Sequence, residues 1–237
     1  MKKIIVLIIL FPSLVFANSD FLKKLIDNGY LDVAVDYCQN NFIQQSIQKE
    51  CISILKKNKK YSILIELLNK LKKTPDNLLL QYECYIKAEN FLKADTVKNE
   101  LKKYILSDNQ ENKLNQLTKL KKALINYNNY NFSKAYQYFS QIKNLDVDEI
   151  KKKIMCLIYL NNINKAELEI KKYKIKDFFL NGLIKYKKGE YNQALIFFKN
   201  SNNNEAKIYI YNCLIYTGKL NEAKNYFSEK INKKKVL

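Results

Sequence analysis

The 237-residue sequence contains no histidine and no tryptophan. Because histidine is the commonest general base and metal ligand, its absence excludes Ser-His-Asp and Cys-His catalytic arrangements and removes a usual zinc ligand. No glycine-rich phosphate-binding loop is present either. The densest carboxylate cluster, Asp146, Asp148 and Glu149, is typical of a helix start, where the helix dipole attracts negative charge. We therefore expect a binding protein without cofactor or metal rather than an enzyme.

Glycine and proline are also scarce, with four and two residues respectively. Chains built from many strands and tight turns usually contain more of both. Apolar residues instead recur at helical spacing, and in residues 21–37 they predict two short helices separated by Asn28 and Gly29. No window alternates convincingly with the period of two that marks a strand. The sequence predicts an all-α protein.

Arginine is missing as well, so every basic residue is a lysine, and the formal net charge is +19. A basic protein can bind nucleic acid, but nucleic-acid grooves usually use arginine for bidentate contacts. Lysine spread over most solvent faces, together with abundant Asn, Ile and Tyr, is more typical of compositional bias. A nucleic-acid partner is therefore the less favoured interpretation, and lysines clustered on one face would support it.

The N-terminus has the parts of a secretory signal peptide. Lysines at positions 2 and 3 precede an apolar run at residues 4–10, and the small residue Ala17 precedes the polar Asn18. A membrane anchor needs roughly 20 apolar residues, whereas Pro12 interrupts this run. We expect a signal peptide over residues 1–17, cleavage after Ala17, and a periplasmic or secreted product that does not span the membrane.

A repeated helical pattern is clearest towards the C-terminus. Two apolar-periodic segments in residues 179–201 flank a turn at Gly189, and a related pattern follows 29 residues later around Gly218. The first copy carries small and aromatic residues in the order Gly182, Tyr186, Tyr191, Ala194 and Phe198, and the second carries Tyr211, Leu220, Ala223 and Phe227. Residues 179–231 resemble the tetratricopeptide repeat, a helix–turn–helix unit of about 34 residues.

The small residue of the second helix can be traced back through the chain. It falls at Ala34, Leu64, Ala94, Ala135, Ala166, Ala194 and Ala223, in steps of 30, 30, 41, 31, 28 and 29 residues. The resemblance implies an all-α, right-handed α-solenoid of about seven degenerate repeats, although the family's first-helix tryptophan is absent. Within it we distinguish N-terminal repeats (18–106), a polar joint (107–116), C-terminal repeats (117–232) and a basic tail (233–237).

In such solenoids the first helices line a concave face that holds a peptide or a partner helix. Tyrosine offers contact area and a hydroxyl, and asparagine can pair with a peptide backbone. The resemblance therefore implies partner-binding candidates on the first helices: Tyr127, Asn128, Met155, Tyr159, Tyr186, Lys187, Asn212 and Tyr216. The alternative interpretation is that these tyrosines pack between helices and leave only the hydroxyl in contact with water.

Three functional hypotheses follow. The leading one is a periplasmic scaffold or adaptor that binds protein or peptide partners while a secretion, pilus or motility complex of the cell envelope assembles. The second is a nucleic-acid-binding protein of a DNA uptake or transfer system, whose binding would weaken steeply with salt. The third is a carbohydrate-active enzyme on a helical solenoid, which needs two carboxylates facing each other across a cleft.

The five cysteines would meet an oxidising compartment if the chain is exported. Within the repeat frame, Cys38 and Cys51 lie on contacting helices and can form a disulfide. Cys84, Cys156 and Cys213 fall at equivalent first-helix positions of separate units, so we expect them to be buried and unpaired.

Overall fold

The computed structural model describes residues 19–230, and within that range it contains fourteen α-helices and no strand. The predicted signal peptide lies outside the described residues, as does the basic tail. The helices are α1 (Ser19–Asp27), α2 (Leu31–Asn41), α3 (Gln45–Lys57), α4 (Tyr61–Asn69), α5 (Pro75–Lys87), α6 (Phe91–Leu101), α7 (Asp108–Asn128), α8 (Phe132–Ser140), α9 (Val147–Tyr159), α10 (Ile163–Tyr173), α11 (Phe178–Lys187), α12 (Tyr191–Lys199), α13 (Ala206–Tyr216) and α14 (Leu220–Lys230).

The described residues divide into two compact units, 19–117 and 118–230. The boundary falls inside α7, and the polar stretch predicted as a joint, residues 107–116, forms the first part of this long helix from Asp108 onward. Within each unit, helices that are consecutive in sequence pack against each other. This confirms the all-α prediction and the sequential packing of its helices.

Eight of the connections between the described helices share one hydrogen-bonding pattern; seven of them are the tight turns inside helical hairpins, and the eighth, at Lys174, joins α10 to α11. In the first, the N–H of Gly29 donates to the carbonyl of Ile26, and the N–H of Tyr30 donates to the carbonyl of Leu25. This pair of bonds defines a Schellman motif, which needs a left-handed residue after the helix. The left-handed residues of the seven turns are Gly29, Lys59, Glu89, Tyr130, Asn161, Gly189 and Gly218. Their spacing repeats that of the small second-helix residues.

The N-terminal unit has its own apolar core, and a disulfide joins Cys38 of α2 to Cys51 of α3 within it. The Cα atoms of the two cysteines lie 5.5 Å apart, and both side chains are fully buried. Cys84 of α5 is also buried, and it is unpaired. Glu83, the preceding residue, forms ion pairs with Lys56 and Lys113, so the charge of this buried carboxylate is compensated.

The core of the C-terminal unit depends on a close approach of α11 and α12. Gly182 lies so near the fully buried ring of Phe198 that a Cβ atom at Gly182 would be 2.7 Å from two ring carbons. This short approach gives the small-residue and aromatic positions of the sequence pattern a packing role. First helices also contact one another directly in this unit, α9 with α11 and α11 with α13.

Side-chain caps fix the starts of two first helices of this unit, α9 and α11. Asp146 accepts the N–H of Glu149 at 2.9 Å, and Glu149 accepts the N–H of Asp146 at 2.8 Å, which makes a reciprocal capping box for α9. The acidic cluster of the sequence therefore begins a helix, as its pattern predicts. Cys156 of α9 and Cys213 of α13 are buried and unpaired, and burial raises the pKa of the Cys156 thiol to about 12.

Candidate partner-binding site

Two adjoining cavities lie on the C-terminal unit along its first helices. The larger has a volume of about 450 Å³ and the smaller about 270 Å³. Three residues line both cavities: Tyr127 of α7, Met155 of α9 and Glu205, which immediately precedes α13. Because these residues are shared, the cavities form one continuous surface, which we call the groove.

The larger cavity is organised by the start of α11. Asp177 caps this helix by accepting the N–H of Leu180 at 3.0 Å, while its other carboxylate oxygen pairs with Lys151 of α9 at 2.7 Å. One side chain thus links α9 to α11 and fixes the cavity wall. Next to it, the ring of Phe178 is 54% exposed and lines the same cavity. An open aromatic ring of this kind can cover an apolar side chain of a partner.

The loop before α13 completes the larger cavity. Asn200, Ser201, Asn202 and Asn203 line it and supply amide and hydroxyl groups that can both donate and accept hydrogen bonds. The loop keeps a defined turn because the N–H of Glu205 donates to the Asn203 side chain at 2.8 Å. This wall therefore has the chemistry needed to pair with the backbone of an extended chain.

The smaller cavity is built around Phe132, the first residue of α8. Its ring stacks on Tyr159 of α9, with centroids 4.5 Å apart and 19° between the planes. Tyr127 and Tyr130 meet the same ring edge-on, at centroid distances of 5.8 and 6.1 Å. Offset-stacked and edge-on pairs are the arrangements that aromatic rings prefer. All four rings line the cavity, together with Met155, Asn128 and Glu205.

Four of the eight sequence-predicted residues lie in the groove: Tyr127, Asn128, Met155 and Tyr159. Met155 is only 9% exposed, so its thioether forms part of the core as well as of the cavity lining. The other four predicted residues lie on the later first helices and line neither cavity. The structure therefore brings half of the predicted set together.

Tyr186 of α11 lies inside a second aromatic cluster. Its ring contacts Tyr191, Tyr209 and Tyr216, with centroid distances of 5.4, 5.3 and 6.1 Å. Burial and the hydroxyl of Tyr216 raise the pKa of Tyr186 to about 12. These contacts give Tyr186 the packing role that the sequence left open.

The last three predicted residues differ in exposure. Tyr216 is 59% exposed and stacks on Tyr191 at 4.6 Å. Lys187 is exposed, whereas Asn212 is half-buried beside Tyr186. None of these three side chains lines either cavity.

Both signs of charge occur along the groove. Lys151, Lys152 and Lys176 line the larger cavity with Asp177 and Glu205, and the ammonium of Lys152 lies 5.5 Å from the centroid of the Tyr127 ring. Of the described residues that line the smaller cavity, only Glu205 is charged. The groove is therefore mixed in charge at one end and negative at the other.

Tyr159 and Tyr209 connect the groove to the aromatic cluster. Burial, followed by the influence of Tyr209 and of the Glu205 carboxylate, raises the pKa of Tyr159 to about 12. Burial and the Glu205 carboxylate likewise raise the pKa of Tyr209. The hydroxyls of Tyr159 and Tyr209 are also hydrogen-bonded to each other, which links the groove to the aromatic cluster.

Sequence reasoning missed Phe132, Tyr130 and Glu205 as groove residues. Phe132 precedes Ala135 by three residues and therefore shares the core-facing register of α8, whereas Tyr130 occupies a hairpin turn and its side chain is 81% exposed. The available sequence signal for Tyr130 was an aromatic residue in a turn between asparagines, where no core contact is expected. Glu205 comes from a loop two hairpins beyond α9, and no local pattern indicates which first helix such a loop approaches.

Residues 19–230 contain no helix long and apolar enough to cross a membrane. In the same range no group of three or more Cys, Asp or Glu side chains is placed to hold a metal ion. Comparison of the chain with family models, with curated proteins and with solved structures finds no significant match.

Proposed function

We propose that this chain is an exported, periplasmic scaffold or adaptor that binds an extended segment of a protein partner in the groove during assembly of an envelope complex. The observation that carries the proposal is the groove. Three successive first helices, α7, α9 and α11, and the loop before α13 supply aromatic rings, a thioether and side-chain amides to one continuous surface. Apolar anchors flanked by backbone-pairing groups suit an extended peptide. Binding rather than catalysis is proposed for this surface.

The repeat architecture supports the same proposal. We infer that the seven Schellman-turn hairpins are TPR-like repeats and that they form a right-handed α-solenoid. At the equivalent second-helix position six hairpins carry a buried alanine, from Ala34 at 0% to Ala223 at 3% exposure, and the second hairpin carries the buried Leu64. Solenoids of this kind leave their first-helix surface free for a partner, since the core needs only the other faces.

Affinity capture from native envelopes tests the proposal when groove and control variants are compared. The groove variant combines Tyr130→Asn with Phe178→Ser, which change two exposed rings. The control variant combines Leu168→Ser with Ile196→Ser, which change two equally exposed apolar residues of α10 and α12 (65% and 63% exposed) that line neither cavity. We expect an envelope protein that wild type and control capture equally and that the groove variant loses.

Two results would count against the proposal. If the groove variant captures the same proteins in the same amounts, the groove is not the binding surface. If no envelope protein is enriched by any of the three, the scaffold role itself is wrong. Export is tested separately: mass spectrometry of the mature protein should give Asn18 as the N-terminal residue, and a protein retained in the cytoplasm with Met1 intact would refute it.

A further inference from the structure

The smaller cavity of the groove has a composition that the rest of this basic chain does not lead one to expect. Four aromatic rings, a thioether, an amide and one carboxylate line it, and none of its lining residues is a lysine. The chain as a whole carries 42 basic residues against 23 acidic ones. The one charged residue in the lining of this cavity is thus acidic, in a chain whose charged residues are mostly basic.

Aromatic rings and a carboxylate are the groups that proteins use to hold an organic cation. The negative face of a ring attracts an ammonium or guanidinium group within about 6 Å of the ring centroid. Tyr127 and Tyr130 stand at 71° and 85° to the Phe132 ring, so rings of different orientation border the same space. One member of the set already binds a cation, because the Lys152 ammonium lies 5.5 Å from the Tyr127 centroid.

Glu205 is available for such a ligand. Its side chain is exposed at the mouth of the cavity, and it forms no ion pair within the part of the chain that the structure describes. Its charge reaches the cavity wall, since it contributes to the raised pKa values of Tyr159 and Tyr209. A carboxylate beside aromatic rings gains from pairing with a cation that the rings also attract.

We propose that the smaller cavity binds a lysine side chain of the partner segment, with its ammonium beside Glu205 and its methylene chain against Phe132, Tyr130 and Met155. The inference rests on the proposed function, because it assigns one side chain of the segment held in the groove. The cavity of about 270 Å³ lies just below the range of drug-sized sites, which fits one long side chain. Charge complementarity selects the cation over an apolar side chain of similar length.

The two methionines of the chain provide a direct probe. They are Met1 and Met155, so selective ¹³C-methyl labelling gives at most two signals, and Met155→Leu assigns the one that lines the cavity. The full chain is titrated with N-acetyl-lysine methylamide and, separately, with N-acetyl-norleucine methylamide, which has the same chain length without the ammonium. We expect a saturable shift of the Met155 signal with the lysine compound at millimolar concentrations, and binding of the norleucine compound at least about fivefold weaker.

Variants locate the interaction. Glu205→Gln should weaken the lysine compound about three- to tenfold, and Tyr130→Asn about two- to fivefold, because each removes one attractive group. Asparagine tolerates the left-handed backbone of Tyr130, which has a φ of 58°, so the turn is kept. Glu222→Gln is the matched control, since it makes the same charge change on α14, outside both cavities.

Three results would overturn the inference: equal affinity for the lysine and norleucine compounds, equal effects of Glu205→Gln and Glu222→Gln, or no saturable shift with the lysine compound at any accessible concentration. Loss of the lysine preference while the groove variant still loses its envelope partner would remove the cation subsite and leave the proposed function standing. If wild type captures no envelope protein while the lysine compound still binds as expected, the proposed function is refuted and the cation subsite stands.

Discussion

Replacement of Gly182 by alanine tests the packing that places the groove. In an ordinary helix interior this change stabilises a protein by roughly 0.5–1 kcal/mol, because alanine loses less backbone entropy. Here the new Cβ atom would lie 2.7 Å from two carbons of the Phe198 ring and 3.1 Å from a third. The ring is fully buried and cannot move freely, since Tyr209 stacks on it at 5.0 Å and Phe179 lies 5.8 Å away.

The sign of the change in unfolding free energy shows whether helix propensity or steric overpacking dominates at Gly182. Overpacking of a filled core costs about 1–3 kcal/mol, which exceeds the helix-propensity gain. We expect Gly182→Ala to lower the free energy of unfolding by about 1–2 kcal/mol and the melting temperature by roughly 3–6 °C. Tyrosine near-ultraviolet circular dichroism follows the transition without interference from tryptophan, which the chain lacks.

A second substitution separates a steric clash from other causes. Phe198→Leu removes ring atoms that the alanine would meet, so the double variant should be less destabilised than the sum of the single changes by about 1 kcal/mol or more. Additive effects would show that the Gly182 methyl group and the Phe198 ring do not interact. A stabilised Gly182→Ala variant would refute the packing argument outright.

Three further predictions address the turns, the disulfide and the helix cap. Gly189→Ala should destabilise the protein by about 1 kcal/mol in urea unfolding, because the residue has a φ of 77°; an unchanged midpoint would contradict this. Cys38→Ser with Cys51→Ser should cost about 3 kcal/mol, and reductant should then have little further effect on stability. At Asp177 burial alone would raise the pKa, but hydrogen bonds from Lys151 and the backbone lower it overall. The stability advantage over Asp177→Asn should therefore be present at neutral pH and vanish as the pH falls below about 4, and a pH-independent difference would refute it.

The fold class was predictable because helical periodicity and the small second-helix residues are local signals. Gly29, Gly189 and Gly218 also marked three of the turns, since glycine readily adopts a positive φ. The same turn at Lys59 and Glu89 was not predictable from its residues, because neither side chain favours a left-handed backbone. There the Schellman hydrogen bonds and the packing of the hairpin impose the conformation.

The groove was predictable in part. Tyr127 and Tyr159 were accessible to sequence reasoning because their register on the first helices follows from the repeat. Tyr209 and Glu205 were not, because their proximity to Tyr159 depends on the rotation from α9 to α13 across an intervening hairpin. That rotation is set by the summed side-chain volumes of several helix contacts, and no single motif encodes it.

Site-specific photo-crosslinking tests the central claim, that the groove holds a segment of a partner protein, most directly. A photoreactive phenylalanine analogue is placed at Phe178 or Tyr130 in the groove and, as matched controls, at Leu168 or Ile196 on second helices. Illumination in native envelopes followed by peptide mass spectrometry should give one discrete adduct from both groove positions, mapped to a single short segment of one protein, and none from the controls. Adducts that form equally at all four positions, or at the control positions alone, would contradict the account.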